Sequence, residues 1–391
     1  MPPLAIYADR ALTPLEEIRE AVVAVEGGKI VAVGRRGQVF PASRVQEYSA
    51  PGMTVVPGFV DVHIHGAGGH EVMEATSEAL EAVATTVAQH GTTSFVATTV
   101  TASEEHIRRS AEGIARYIRA QQDAPGGTTP RAQVLGIHFE GPFISHARHG
   151  AHRVEWIAPP SVESLRRWLQ AADGTGRILT LAPELPGALD LIEVARQAGL
   201  VVAMGHTDAT YQEACAAIAK GASHAVHVFN AMRPFFHRET GVLGAVLTAP
   251  EVTAELIADG VHVEPPAMRL LLAAKGVERV LLISDATAAT GMPDGNYRLG
   301  TFEVSVSGGV CRNAEGRLAG STLTLDRALR SVAALGVTLA DAVRMLTLNP
   351  ARLLGLQGIK GVLAPGADAD LVLLNADLKV AGVMTRGAGL R

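Results

Sequence analysis

Eight short apolar segments, most of them followed by an amphipathic helical stretch, predict an α/β fold: a (β/α)8 TIM barrel. Strand-rich stretches at both ends of the chain predict a small β-sandwich domain built from the two termini. A doubly wound sheet is disfavoured, since it usually carries fewer strands and a Gly-x-Gly-x-x-Gly turn after the first, and none follows a strand here. At 391 residues the chain exceeds the size at which one core stops growing, which suits one large domain and one small one. The expected division is 1–57 and 360–391 for the small domain and 58–359 for the barrel.

In order, Ala21–Val25 and Ile30–Gly34 flank Glu26-Gly27-Gly28-Lys29, a Gly-Gly hairpin turn between apolar strands. Met53–Val56 leads through Pro57-Gly58 into the first barrel strand, Phe59–His63, and helix Ser77–His90 follows. Strand Ser94–Thr98 precedes helix Ser103–Arg119 and a loop rich in Gly, Pro and Thr, Gln122–Pro130. Strand Val134–Phe139, an irregular stretch and helix Ser161–Ala172 come next. Ile178–Leu181 precedes helix Ala188–Ala198, Val201–Met204 precedes helix Thr210–Lys220, and Ala222–Val226 precedes a weakly helical Gly241–Thr248. Thr253–Ile257, helix Pro265–Lys275 and Val280–Ile283 close the series. Gly91, Gly199 and Gly221 stop three of the helices, as C-cap glycines do. Tyr297–Arg317 alternates like a hairpin, either a cover for the barrel mouth or decoration, and Asp370–Leu374 is a strand returning to the small domain.

A net charge of −5 and a pI near 6.3 argue against a nucleic-acid or anionic-membrane surface. Cys215 and Cys311 form no CxxC and no disulfide framework, so a reducing, cytoplasmic setting is expected. The N-terminal residues lack a basic segment leading into an apolar one, and no apolar run is long enough to span a bilayer. No signal peptide and no membrane partner are therefore expected.

A barrel of this kind places its chemistry at the C-terminal ends of the strands. His63 and His65 end the first strand, one residue apart, so both imidazoles face one point. Glu140 ends the third, His206 the fifth, His227 the sixth, Asp259 and His262 follow the seventh, and Asp285 ends the eighth. So many titratable groups aimed at one mouth suit metal-assisted hydrolysis. A carboxylate with two or more imidazoles holds a divalent transition metal and leaves a position for water, whose pKa then falls toward ~7. Asp285 is the expected general base, with a further histidine polarising a substrate carbonyl.

These residues carry a resemblance over nearly the whole chain. Pro57-Gly58-Phe59-Val60-Asp61-Val62-His63-Ile64-His65-Gly66, His138-Phe139-Glu140-Gly141-Pro142-Phe143, Gly150-Ala151-His152 and Gly205-His206-Thr207 are its first half. His227-Val228-Phe229-Asn230-Ala231-Met232, Arg238-Glu239, Asp259-Gly260-Val261-His262, Ser284-Asp285-Ala286-Thr287 and the closing Gly361–Asp370 stretch complete it. The ordered series resembles the amidohydrolase superfamily, and within it the N-acetylglucosamine-6-phosphate deacetylases. The resemblance implies hydrolysis of the acetamide of an N-acetyl amino-sugar phosphate, in amino-sugar catabolism and cell-wall sugar recycling, by a homodimer with sites near its interface. It implies that Glu140, His206 and His227 bind the principal metal, that Asp285 is base and then acid, and that His152 polarises the carbonyl. It also implies that Asn230, Ala231, Arg238 and His262 hold the sugar phosphate, Arg238 and His262 facing a site shared across the dimer. Ala151 and the backbone around Leu318, Ala319 and Gly320 would line the sugar. One ion is expected, with a second at His63 and His65; zinc, iron, cobalt and manganese all suit such N/O donors. Many two-metal relatives bridge their ions with a carboxylated lysine at the end of strand four. Here that strand ends in Ala182-Pro183-Glu184, which leaves Glu140 as the only candidate bridge.

His70, His90, His106, His146, His149, His224 and His237 read as solvated or capping residues in helices or loops, and His138 as a partner behind Glu140 rather than a ligand. Cys215 sits among alanines and suits helix packing; Arg233 suits either phosphate or solvent. Other N-acyl or cyclic amide substrates are the alternative reading, and a non-catalytic sugar-phosphate-binding protein the weakest.

Overall fold

The computed structural model describes residues 3–39, 45–123 and 129–390, the side chain of Asp123 excepted. Most of the loop expected over Gln122–Pro130 lies outside the described residues. Eight parallel strands form the barrel in sequence order: Phe59–Ile64, Thr92–Thr99, Gln133–Glu140, Gly176–Leu181, Val201–Met204, Ala222–Ala225, Thr253–Ile257 and Val280–Ile283. Buried on both faces, such strands read as near-continuous apolar runs; all six residues of Phe59–Ile64 and all eight of Thr92–Thr99 are buried. Closure is made just beyond the first and eighth strands, where Asp285 N–H donates to His63 O at 2.9 Å and His65 N–H to Ala286 O at 2.8 Å.

The helices on the outside begin where the sequence supplies a cap. Thr76 accepts from Ala79 N–H ahead of Ser77–Ala88, and Ser161 from Ser164 N–H ahead of Val162–Ala172. Thr210 and Glu213 form a reciprocal capping box at Tyr211–Lys220. The helix expected to end at Arg119 runs to Asp123, because Gln121 stays in register to bond Ala132 O and Val134 N–H. Three short helices, Leu325–Ala334, Leu339–Leu346 and Leu348–Leu353, were not foreseen; they pack behind the first and eighth strands.

Tyr297–Arg317 was expected as a hairpin and instead belongs to a three-stranded antiparallel flap, Gly295–Leu299, Phe302–Ser307 and Val310–Asn313. Its alternation is that of a sheet with one face inward: Phe302, Val304 and Val306 are buried while Glu303, Ser305 and Ser307 are exposed.

Both termini contribute to one seven-stranded sheet. Its centre is Gln46–Pro57, paired in parallel with Leu4–Leu12 and antiparallel with Leu371–Leu374. Ile6, Val23, Ile30, Val55, Leu371 and Met384 belong to a core separate from the barrel's. A buried ion-pair chain stitches the terminal segments together: Lys360 Nζ lies 2.6 Å from Asp370 and 2.8 Å from Asp368, and Lys29 reaches Asp368 at 2.6 Å. Lys360 is 3% exposed, whereas the Lys29 side chain is 50% exposed. Removing one partner of a buried pair strands the other charge, so Lys360→Met is expected to lower stability by ~3–5 kcal/mol. Lys29→Met should lower it by less than ~1 kcal/mol. Equal shifts of the two denaturation midpoints would show that burial of Lys360 is not what matters.

Candidate active site

The strand ends converge on Glu140. Its Oε1 lies 2.9 Å from His227 Nε2, 3.2 Å from His206 Nε2 and 3.4 Å from His63 Nε2. Its Oε2 lies 3.4 Å from His65 Nε2 and 3.6 Å from His152 Nε2. Asp285 Oδ1 completes the cluster, 3.1 Å from His65 Nε2 and 3.7 Å from His63 Nε2. The chain approaches through left-handed backbone at His206, His227, Phe229, Ala231 and Asp285, with φ of 46°, 28°, 82°, 50° and 51°. Such conformations cost about 1–3 kcal/mol each in non-glycine residues and gather at functional sites.

Each ring is fixed by what its second nitrogen meets. Nδ1–H of His65 donates to Thr98 O at 3.0 Å, that of His206 to Arg148 O at 3.1 Å, and that of His63 to Glu255 Oε2 at 2.9 Å. Those partners are acceptors only, so each ring, when neutral, turns a bare Nε2 toward Glu140. His152 is the reverse case. Its Nδ1 accepts from Thr101 N–H at 3.1 Å, which puts the proton on Nε2 and makes that atom a donor. His63 Nε2 and His227 Nδ1 are buried with no hydrogen-bond partner.

Ring nitrogens and carboxylate oxygens crowded to 2.9–3.4 Å suit a cation between them once the rings are neutral. A tetrahedral ion with bonds of ~2.0–2.1 Å spaces its ligands at ~3.3 Å. Three groups of ligand atoms are compact enough for this: His63, Glu140 and His227; His63, His65 and Asp285; and Glu140, His152 and His206.

Burial opposes charge on Glu140, yet the His63, His152, His206 and His227 rings outweigh it and hold its carboxyl well below the usual range. Asp285 is likewise lowered against burial, by the hydrogen bond to His65 and the neighbouring rings. Burial also opposes charge on His63, but Glu140 and Glu255 raise it well above its ordinary value. His206 falls to about 4, through burial and then the facing His152.

Glu255 and His224 went unrecognised in the sequence reading. Glu255, on the seventh strand, is fully buried; beyond His63 it accepts from His227 N–H at 3.0 Å, and its Oε1 lies 3.0 Å from His224 Nε2. The expectation that His224 is a solvated or capping residue is overturned: it sits on Ala222–Ala225, fully buried and paired with that carboxylate. A glutamate inside the apolar run Thr253–Ile257 was the available signal, since an interior carboxylate needs a partner. His138 lies behind the cluster, 2.7 Å from Thr180 Oγ1, with its ring edge-on to His63.

A cavity of about 260 Å³ opens above Glu140. His65, His152, His206, His227 and Asp285 face it, as do Ala151, Asn230, Ala231, His262, Leu318 and Gly320 among the expected substrate residues. Gly150 lines it from the Gly150-Ala151-His152 motif, Leu299, Phe302 and Arg317 line it from the Tyr297–Arg317 segment, and Val100 lines it without having been foreseen. Gly150, at φ 61°, leaves room for His206, since a Cβ there would come within 3.0 Å of that ring. Ala319 turns away and bonds Cys311 O through its N–H, and His63 lies behind the wall. Arg238 is exposed, paired with His237, and is not among the lining residues. Arg233 bonds Asp208 and Glu239.

The amidohydrolase family model matches residues 54–388. A Bacillus subtilis N-acetylglucosamine-6-phosphate deacetylase is 37% identical over 378 residues, covering 96% of this chain and 94% of its own. An Escherichia coli N-acetylgalactosamine-6-phosphate deacetylase is 42% identical over 332 residues, 85% of this chain and 86% of its own. Among solved structures, an aspartate-to-alanine mutant of the Mycobacterium smegmatis N-acetyl-D-glucosamine-6-phosphate deacetylase, in complex with N-acetyl-D-glucosamine 6-phosphate, superimposes with a TM-score of 0.92 at 41% identity, covering all of both chains. Amidohydrolases are typically metal-dependent, in keeping with the ligand groups above. The chain belongs to the amidohydrolase family, and within it to the N-acetylglucosamine-6-phosphate deacetylases.

Proposed function

We propose that this protein hydrolyses the acetamide of N-acetyl-D-glucosamine 6-phosphate, giving D-glucosamine 6-phosphate and acetate. The observation that carries the reading is the division of the rings: His63, His65 and His206, when neutral, present bare nitrogens to Glu140, whereas His152 presents an N–H. Glu140, His206 and His227 would hold the principal ion, and His63 and His65 the second. Bound there, a divalent transition metal supplies Lewis acidity that brings the pKa of water down toward ~7.

The remaining chemistry belongs to the side chains. His152 Nε2–H donates to the acetamide oxygen and steadies the charge that develops as water attacks the carbonyl carbon. Asp285, kept ionised by the neighbouring rings, takes the proton from that water. It returns the proton to the amide nitrogen as the C–N bond breaks, so acetate and the free amine leave. Asn230, Ala231 and His262, which line the cavity, receive the sugar phosphate. Asp259 orients His262 through a 2.7 Å contact to Nδ1.

Arg238 would complete the phosphate site of a neighbouring subunit in a homodimer. Phe235 and Phe236, 50% and 61% exposed beside it, are an apolar surface suited to that contact. The Escherichia coli relative favours a second reading, in which the galactose epimer is the better substrate. Acetate release from a panel of phosphorylated and plain N-acetylhexosamines separates the two.

Asp285→Asn should retain metal and sugar phosphate while kcat falls ~10³-fold; a variant near the wild-type rate would remove Asp285 from the base role. Arg238→Ala should raise KM for the phosphorylated sugar far more than for the plain one, and equal effects would sink its phosphate role. Glu255→Gln should weaken metal binding ~10–100-fold in a chelator competition, because it slackens the hold on His63. Unchanged affinity would reduce Glu255 to packing.

A further inference from the structure

We propose that Val100, Leu299 and Phe302 form the acyl subsite and limit the leaving acid to acetate or smaller. The proposal rests on the deacetylase reading. A trigonal amide carbon carries three substituents, and two have been placed: the oxygen at His152 Nε2, and the nitrogen with its sugar toward Asn230 and His262. The methyl group of the acetyl must take the remaining wall. That wall is apolar and lies beside His152. Val100 immediately precedes Thr101, whose N–H fixes the His152 ring. The flap turn sits against Val100, since a Cβ on Gly300 would fall 2.3 Å from Val100 Cγ2. Leu299 and Phe302 flank that turn and line the same cavity.

The wall has little slack. Val100, Leu299 and Phe302 are only 3%, 4% and 9% exposed, and a cavity of about 260 Å³ is small for a sugar phosphate and a long acyl chain together. Its distance from the barrel is set by Glu71, a buried carboxylate with no place in the chemistry above. Glu71 Oε1 accepts from Gly300 N–H at 2.5 Å, and Glu71 pairs with Gly66 in the segment just after His65. Glu71 is therefore a positioning residue: it holds the flap turn down on the acyl group.

The test compares kcat/KM for N-formyl, N-acetyl and N-propionyl glucosamine 6-phosphate. One methylene in a fitted apolar pocket is worth ~10–200-fold, so the wild type should prefer acetyl over propionyl by that range. Leu299→Ala and Val100→Ala should each raise the propionyl-to-acetyl ratio ~10-fold. Val100→Leu, which fills the wall instead, should raise the formyl-to-acetyl ratio. Glu71→Ala should raise the propionyl-to-acetyl ratio as the alanine variants of the wall do, while Glu71→Gln, which keeps an acceptor for Gly300 N–H, should stay near wild type. Ratios unchanged in both alanine variants and in Val100→Leu, beside normal wild-type acetate release, overturn the acyl wall and leave the deacetylase reading intact. No acetate release by the wild type from any of the phosphorylated sugars overturns both.

Discussion

The seam between the first and eighth strands is the constraint on which the site depends. His63, His65 and Asp285 sit on its two sides, and the same backbone atoms that close the barrel belong to them. Asp61 reinforces the seam from within: its Oδ1 accepts from His63 N–H and Ser284 N–H, each at 3.3 Å. Burial pushes the Asp61 carboxyl up to about 7, so those donors offset only part of its desolvation. A slip of one residue at this seam would turn His63 and His65 away from Asp285, because side chains on a strand alternate in direction. Barrel closure and site assembly are thus one event.

Past the seam the strands cannot continue as strands. Regular extended backbone at His206, His227 and Asp285 would carry the side chains along the barrel axis. The left-handed turns found there bend them inward to Glu140. Rigid neighbours hold that strain. Gly320, at φ 58°, lets its backbone press against Asp285 O, which a Cβ would meet at 2.8 Å. Ser321 N–H donates to the same oxygen at 2.7 Å. Gly320, read as sugar-lining, is thus also a clamp on Asp285, the proposed base.

What the sequence disclosed follows from where information is local. Parallel strands announce themselves as apolar runs, and a histidine or carboxylate at the end of such a run stands out, as His63, Glu140 and Asp285 did. Glu255 lies inside its run and His224 inside a mixed one, so neither has an end to mark it. Their importance arises from a pairing across adjacent strands that only the folded register creates. Leu325–Ala334 and the two helices after it are short and pack against the barrel, and the first two carry an amphipathic period that was legible in the sequence and went unread. The flap alternates visibly, yet nothing local says that its turn reaches Glu71, 229 positions away in sequence.

The buried charges also explain why this pocket selects a cation. Glu140 and Glu255 lie on opposite sides of His63, and Asp285 stands at its open edge. Three carboxylates in a region closed to solvent would repel one another strongly without a counter-charge, since the local dielectric screens them poorly. In the metal-free chain a proton on His63 answers that need, which is why its affinity for a proton is raised despite burial. Under the proposed assignment His63 and His65 would hold a divalent ion, which would supply that positive charge instead. Glu255 keeps the Nδ1 proton in place and the ring pointing forward. The orientation of His63 is therefore set by a carboxylate on the seventh strand.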